Sequence, residues 1–377
     1  MSRRSQIRYW IFIQGLALVF VGFTSSSLAA LQQIGVLLTP DGTGRYSVVE
    51  IGDGFVPRAL NSQGHVVGYT TNTDLYQPFF WTQAGGAELL EPYQTEHSAV
   101  ACGINDLDQI AGESYAAPYN LGRAVLWQSP TDIKDLGTLG GQGAAAAVIN
   151  NDGVVVGASR LPGSSKLQPF IIWSEADAMR WLGSLDGAQA EGNANDISNS
   201  GQVVGWSRTS DGRTSAFFWT ESTGMLDIGK FLTDGTRISV PVAVNDNGMT
   251  VGYFRGDDPS TKAFAWTAAD GIEYLEALAG DCRAYGVNNS GTVVGTSGTL
   301  LLEGDWKQHA VIWQNSVATD LNELLSSELD YKLTYARAIN DSGQIIAVSD
   351  RAYIPEPLTL LLLGMGALIL RRRRTIQ

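Results

Sequence analysis

The sequence predicts an all-β chain built from short four-stranded units arranged in a ring. Three observations predict it: a surplus of glycine, a turn motif that recurs along the chain, and a tryptophan that returns at nearly constant intervals. Glycine supplies 43 of 377 residues, about 11 per cent against a usual share of roughly 7 per cent. A surplus of that size implies many turns, and therefore many short strands.

The turn motif is clearest in INNDGVVVGAS from Ile149. Its relatives begin at Leu60, Ile104, Ile197, Val244, Val287 and Ile339, which makes seven copies. Their first polar residues are Asn61, Asn105, Asn150, Ser198, Asn245, Asn288 and Asn340, spaced by 43 to 52 residues. Each copy reads as a β-hairpin in which an apolar residue ends one strand and a short polar turn follows. A glycine then takes positive φ, as a turn closing on a bulge requires. That glycine is Gly64, Gly153, Gly201, Gly248, Gly291 or Gly343, and the second copy carries Asp108 in its place. The Asn side chain is expected to bond backbone N–H groups inside the turn. A β-branched run such as Val154-Val155-Val156 continues as the next strand.

A third strand ends in Trp81, Trp127, Trp173, Trp219, Trp266 or Trp313, spaced by 46 or 47 residues. So regular a spacing implies one structural slot, packed between neighbouring units. A fourth strand precedes each hairpin, as in IKDLGTLGG from Ile133 and GMLDIG from Gly224. Four strands in about 46 residues, seven times over, predict a seven-bladed β-propeller. A linear β-solenoid is the alternative, but none of the copies has the polar face of a capping unit. The seventh copy lacks the Trp, and RAYI from Arg351 is expected to supply its last strand.

Charge and composition exclude several functions. The chain carries 25 basic and 38 acidic residues, a formal net charge of −13. Arg3, Arg4, Arg8 and the four arginines Arg371 to Arg374 all lie near the termini, so the body between is more acidic still. Such a body repels phosphate backbones, and nucleic acid is excluded as a partner. Cys102 and Cys282 fall in different repeats and read as unpaired. His65, His97 and His309 are scattered and form no metal-ligand spacing. No nucleophile elbow or phosphate-cradling loop is present, and no cofactor is expected.

One constellation could form a ligand face. Glu50, Asp135, Asp227 and Asp320 each occupy the strand before a hairpin, and Trp181 and Tyr274 hold the same slot in two other repeats. Carboxylates gathered around one axis could bind sugars or cations, or as pairs hydrolyse glycosidic bonds. The competing reading is a solvated strand position.

The two ends read as addresses. Residues 1–30 carry arginines, an apolar run from Tyr9 to Phe23 and small residues to Ala30, the pattern of a secretory signal with its helix. A leader segment, 31–45, precedes the repeats at 46–354. The tail, 355–377, places Pro355, Glu356 and Pro357 before a short apolar helix, Leu358 to Leu370, and then Arg371, Arg372, Arg373 and Arg374. That helix is short for a membrane span.

With HAVIW at His309, AFFW at Ala216 and LGTLGG at Leu136, the repeats resemble the HAF family of extracellular bacterial repeats. This resemblance implies no established activity. The tail resembles the PEP-CTERM sorting signal, which implies export in a Gram-negative bacterium and a transiently membrane-anchored precursor. It also implies processing by an exosortase-type enzyme at the Pro-Glu-Pro and arginine residues, then association with the cell surface or extracellular polysaccharide. The expected protein is a monomer with a non-catalytic binding or structural role. The alternative is a secreted propeller enzyme acting on glycans.

Overall fold

A computed structural model describes residues 31–352 except 117–121, 175, 188–189, 233–234, 259 and 301–305. The expected signal peptide and sorting tail lie outside the described residues. The chain from Gln32 to Arg351 forms one compact unit. It is all-β, interrupted among the described residues by two single-turn 3-10 helices, Gly229–Phe231 and Leu321–Leu324.

The strands form four-stranded antiparallel groups of the kind that build β-propellers. Five are separate sheets, and two more are joined into an eight-stranded sheet by a single parallel pairing, Thr214 with Ile238. In chain order we number the groups one to six, spanning 55–89, 98–135, 144–181, 192–227, 238–274 and 281–320. Within each, strand order follows the sequence. In sheet one, for example, Phe55–Leu60 pairs with Val66–Thr70, then Gln77–Thr82, then Gly86–Leu89. The turn glycines have φ of 78° to 80°, and Asp108 takes φ 60° in their stead. The bulged turn expected from the sequence is therefore present in all seven copies.

Sheet seven is built differently from the sequence expectation. Leu333–Ile339 pairs with Ile345–Ala352, so Arg351 and Ala352 end the second strand and do not begin a last one. The third and fourth strands are Leu31–Pro40 and Tyr46–Asp53, contributed by the opposite end of the chain. The expected leader segment is thus a structural strand. Val36, Leu37 and Leu38 within it are 0–1% exposed.

A second difference concerns phase. The strand preceding each hairpin pairs with the Trp strand before it, as Asp132–Asp135 does with Arg123–Ser129. A short turn joins these two, and that proximity decides the pairing. The Trp slot also has an exception. Trp81, Trp127, Trp219, Trp266 and Trp313 sit opposite the same position of the second strand and are buried. In sheet three Ile172 takes that place, paired with Val155 and 1% exposed. Trp173, one residue later, is turned outward and 36% exposed, as a one-residue offset on a strand requires.

Among the described residues the core consists of seven apolar clusters, each lying between consecutive sheets. One joins sheet one to sheet two through Val67, Ala101 and Trp127. Another joins sheet seven to sheet one through Leu37, Ile346, Val66 and Trp81. The last sheet therefore packs on the first, and among the described residues every sheet meets a neighbour through one of these clusters on each side.

Candidate functional site

The turn residues of neighbouring sheets bond to one another. Asn61 Oδ1 accepts from Gln63 N and His65 N, the local contacts expected of the residue type. Its Nδ2 does something the sequence did not announce: it donates to the Asn105 carbonyl at 3.2 Å. Asn105 donates likewise to Asn150, Asn150 to Ser198, Asn245 to Asn288 and Asn288 to Asn340, at 2.9 to 3.3 Å. Asn340 donates to Asn61 at 3.0 Å. Each first strand is thereby tied to the next, the seventh to the first included, except at one place where Ser198 has no amide to offer.

A second, open series of bonds runs through the next residue of each turn, from Ser62 to Asp341. Backbone N–H groups of Ser62, Asp106, Asn151, Asn199, Asp246 and Asn289 each donate to the side-chain oxygen of the following turn, at 2.7 to 2.9 Å. Where the first series is broken, sheets four and five gain other bonds. Asn195 Nδ2 donates to the Pro241 carbonyl at 2.7 Å, and Val244 N donates to Asp196 Oδ2 at 2.8 Å. Burial pushes the Asp196 carboxyl up to about 7, against the pull of the N–H groups of Val244 and Ile197, with Asp246 nearby raising it further.

These two series identify the first strand of each sheet as the innermost. Each of those strands carries a β-bulge at the same place, three residues before the first turn position. The extra residues are Arg58, Cys102, Ala147, Asn195, Val242, Tyr285 and Arg337, all of them half-buried. A bulge re-aims its side chain, and here it turns one residue per sheet toward the enclosed space. Burial pushes the Cys102 thiol up to about 12, with Arg58 nearby opposing the rise and Glu113 adding to it. Nothing in the sequence marked these positions, because their identities share no pattern from copy to copy, arginine alone occurring twice.

The ligand face expected from the sequence is not assembled on this interior. Glu50, Asp135, Trp181, Asp227, Tyr274 and Asp320 all lie on the fourth, outermost strand of their sheets. Glu50 Oε1 accepts from the Tyr331 hydroxyl at 2.7 Å. Asp135 pairs with Arg123 at 3.4 Å and accepts from Gly137 N. Asp227 accepts from the Ser215 hydroxyl at 2.6 Å, and Asp320 meets His309 Nδ1 at 2.6 Å. Tyr274 is 46% exposed and packs on Phe254. Trp181 is half-buried. Among the described residues, no three His, Cys, Asp or Glu side chains are grouped to hold a metal. Pro355, Glu356, Pro357 and Arg371 to Arg374 lie outside the described residues. No helix among the described residues is long and apolar enough to cross a membrane.

A cleft of about 430 Å³ lies beside the junction of sheets four and five, lined by Arg213, Lys230, Leu232, Arg237 and Asp257 among others. Its arginines are paired locally, Arg213 with Asp211 and Arg237 with Asp257, each at 2.7 Å.

The architecture and the interior together define an all-β repeat protein of propeller type. No family model and no curated protein matches the chain. Among solved structures it is similar to TolB from Acinetobacter baumannii, at 12% identity and TM-score 0.47 over 66% of this chain and 65% of that one. The chain thus spans about 65% of that protein's length. It is also similar to a putative TolB from Agrobacterium tumefaciens, at 10% identity and TM-score 0.47 over 85% of this chain and 99% of that one. For virginiamycin B lyase from Staphylococcus aureus the values are 11%, 0.47, 84% and 99%. At these scores the likenesses assign no function.

Proposed function

We propose that the chain is an exported, seven-bladed β-propeller with a non-catalytic binding role at the cell surface or in extracellular polysaccharide. In this reading residues 1–30 direct export. The tail from Pro355 holds the precursor transiently in the inner membrane until an exosortase-type enzyme processes it. The seven-fold count is supported by seven turn motifs, seven intersheet clusters and the series of Asn amides.

The observation that carries binding over catalysis is the fate of the candidate carboxylates. A glycosidase needs two carboxyl groups facing one bond, about 5–10 Å apart. Glu50, Asp135, Asp227 and Asp320 instead stand on the outer strands of four different sheets, each held by neighbouring groups. That is the arrangement of scaffold groups.

The sorting half is tested by replacing Pro355, Glu356 and Pro357 with alanine, followed by fractionation and intact-mass measurement. The precursor should accumulate in the inner membrane. Unchanged mass and location would overturn the proposed sorting. Release of new reducing ends from a polysaccharide by the purified protein would favour the glycan-enzyme alternative.

A further inference from the structure

The side chains on one side of the enclosed interior are cationic in an otherwise acidic chain. Arg58 and Arg337 are bulge residues of adjacent first strands, in sheets one and seven. Arg283 stands two residues before the bulge residue Tyr285 of sheet six. Among the described residues none of these three arginines forms an ion pair. Their company is largely aromatic, with the Cys102 thiol beside Arg58 and the Tyr285 hydroxyl beside Arg283. Arg337 lies 5.2 Å from the ring centre of Tyr335 and 5.7 Å from that of Tyr285. Arg283 lies 5.3 Å from that of Tyr253, and Arg58 lies 5.9 Å from that of Tyr69.

Arg337 Nε is buried without a hydrogen-bond partner, and the Tyr285 hydroxyl, also buried, lies beside the Arg283 guanidinium. A buried polar atom without a partner is rare in a folded protein and needs an explanation. Burial draws the Arg337 guanidinium below the ordinary arginine value, and the charge of Arg58 draws it further. Aromatic faces offset part of that cost, but they offer neither the counter-charge nor the planar acceptor that a guanidinium fork matches. Asp281 is within electrostatic reach of Arg283, and Glu113 is within reach of Cys102 on the next sheet. Arg337 Nε nevertheless stays buried and without a partner.

We propose that the interior of the ring binds an oxyanion, carboxylate or phosphate, through Arg58, Arg283 and Arg337, with the Tyr285 hydroxyl as a further donor. An anion there would accept from the orphaned Arg337 Nε and the Tyr285 hydroxyl and offset the clustered positive charge. Tyrosine faces around it suit a ligand that carries its charge on a ring, as an acidic sugar does. This deepens the reading of the chain as a binding protein and rests on that reading. It does not depend on how the chain is sorted.

The test is calorimetric titration of the purified full chain with inorganic phosphate and, separately, with trigalacturonate. Saturable binding of either, weakened at least ten-fold by Arg337→Gln or Arg283→Gln, is the expected result. The preferred probe separates a phosphate from a carboxylate source. Arg123→Gln, on the third strand of sheet two and paired with Asp135 on the outermost one, should bind as the wild type does. Arg337→Gln should melt no lower than wild type in anion-free buffer, because it removes an unpaired buried charge, and should lose the upward shift that the anion gives. If Arg337→Gln fails to fold, Arg283→Gln carries the same comparison. Absence of saturable binding by both probes would overturn the proposal, as would binding that neither arginine substitution weakens. Either result would leave the sorting experiment untouched.

Discussion

Asn340 Nδ2 donates to the carbonyl oxygen of Asn61 at 3.0 Å, across 279 residues of sequence. That one bond joins the last turn to the first, and the same bond recurs between turns 43 to 52 residues apart. Each Asn therefore serves its own turn through Oδ1 and its neighbour's through Nδ2.

Replacing such an Asn removes both services. Asn150 accepts from Asp152 N and Val154 N and donates to Ser198 O. Asn150→Ala should cost about 2 kcal/mol, more than a purely local turn contact, because buried backbone groups on two sheets lose partners. Urea midpoints measure it, and a cost below about 0.5 kcal/mol would show that the amides do not bind the sheets together.

Ser198 is the gap in the series. Its hydroxyl is engaged with Gln202, and Asn245 O receives no amide from it. Ser198→Asn restores the amide and should stabilise by about 0.5–1 kcal/mol. The Asn195 and Asp196 bonds already join these sheets, so the gain should not be larger. A loss of stability would mean that those bonds occupy the space the amide needs.

The second strands carry a glycine for a steric reason. A Cβ on Gly205 would stand 2.0 Å from Asn193 O and 2.7 Å from the Phe217 ring. Gly205→Ala should cost about 3 kcal/mol or prevent folding, since the obstacle is backbone. Sheet seven has Ala347 at the matching place, and its first strand has an additional irregularity between Leu333 and Tyr335. Ala347→Gly should cost no more than about 1 kcal/mol. Thermal melts of both variants check the contrast.

Asp196 sets a pH dependence. Its carboxyl is raised from an unfolded value of 3.8 to about 7 in the fold. Between these values the folded state holds the proton more firmly, so this group's contribution is full below about pH 4 and declines as pH rises to about 7. Asp196→Asn should remove that decline and gain about 1–3 kcal/mol at pH 8 relative to its effect at pH 4. Urea unfolding at the two pH values measures it, and equal effects at both would contradict the assignment.

Much of the fold was legible because the turn motif is local. Gly153 at positive φ and the run at Val154 to Val156 determine a hairpin without outside help. The third and fourth strands carry no turn signature, and their pairing depends on burial and on which chain segment is near. Leu31–Pro40 accordingly read as a leader, although it fills sheet seven. Trp173 read as a slot residue because its spacing fitted, yet one extra residue puts Ile172 in the slot. Glu50, Asp135, Asp227 and Asp320 shared a sequence position, but that position proved to be the outer edge of each sheet. The interior residues, Arg58 to Arg337, were hidden because the backbone bulge recurs while the side chains follow no pattern.

Native-state hydrogen exchange over Leu31–Asp53 tests the closed ring most directly. Leu31–Pro40 lies between Tyr46–Asp53 and Ile345–Ala352, with strand partners on both sides. Closure of the ring by this segment predicts that the amides of Val36, Leu37 and Leu38 exchange as slowly as those of Val155 and Val156 in sheet three, through global unfolding. Exchange of those three amides within seconds, with sheet three still protected, would contradict it and leave the ring open.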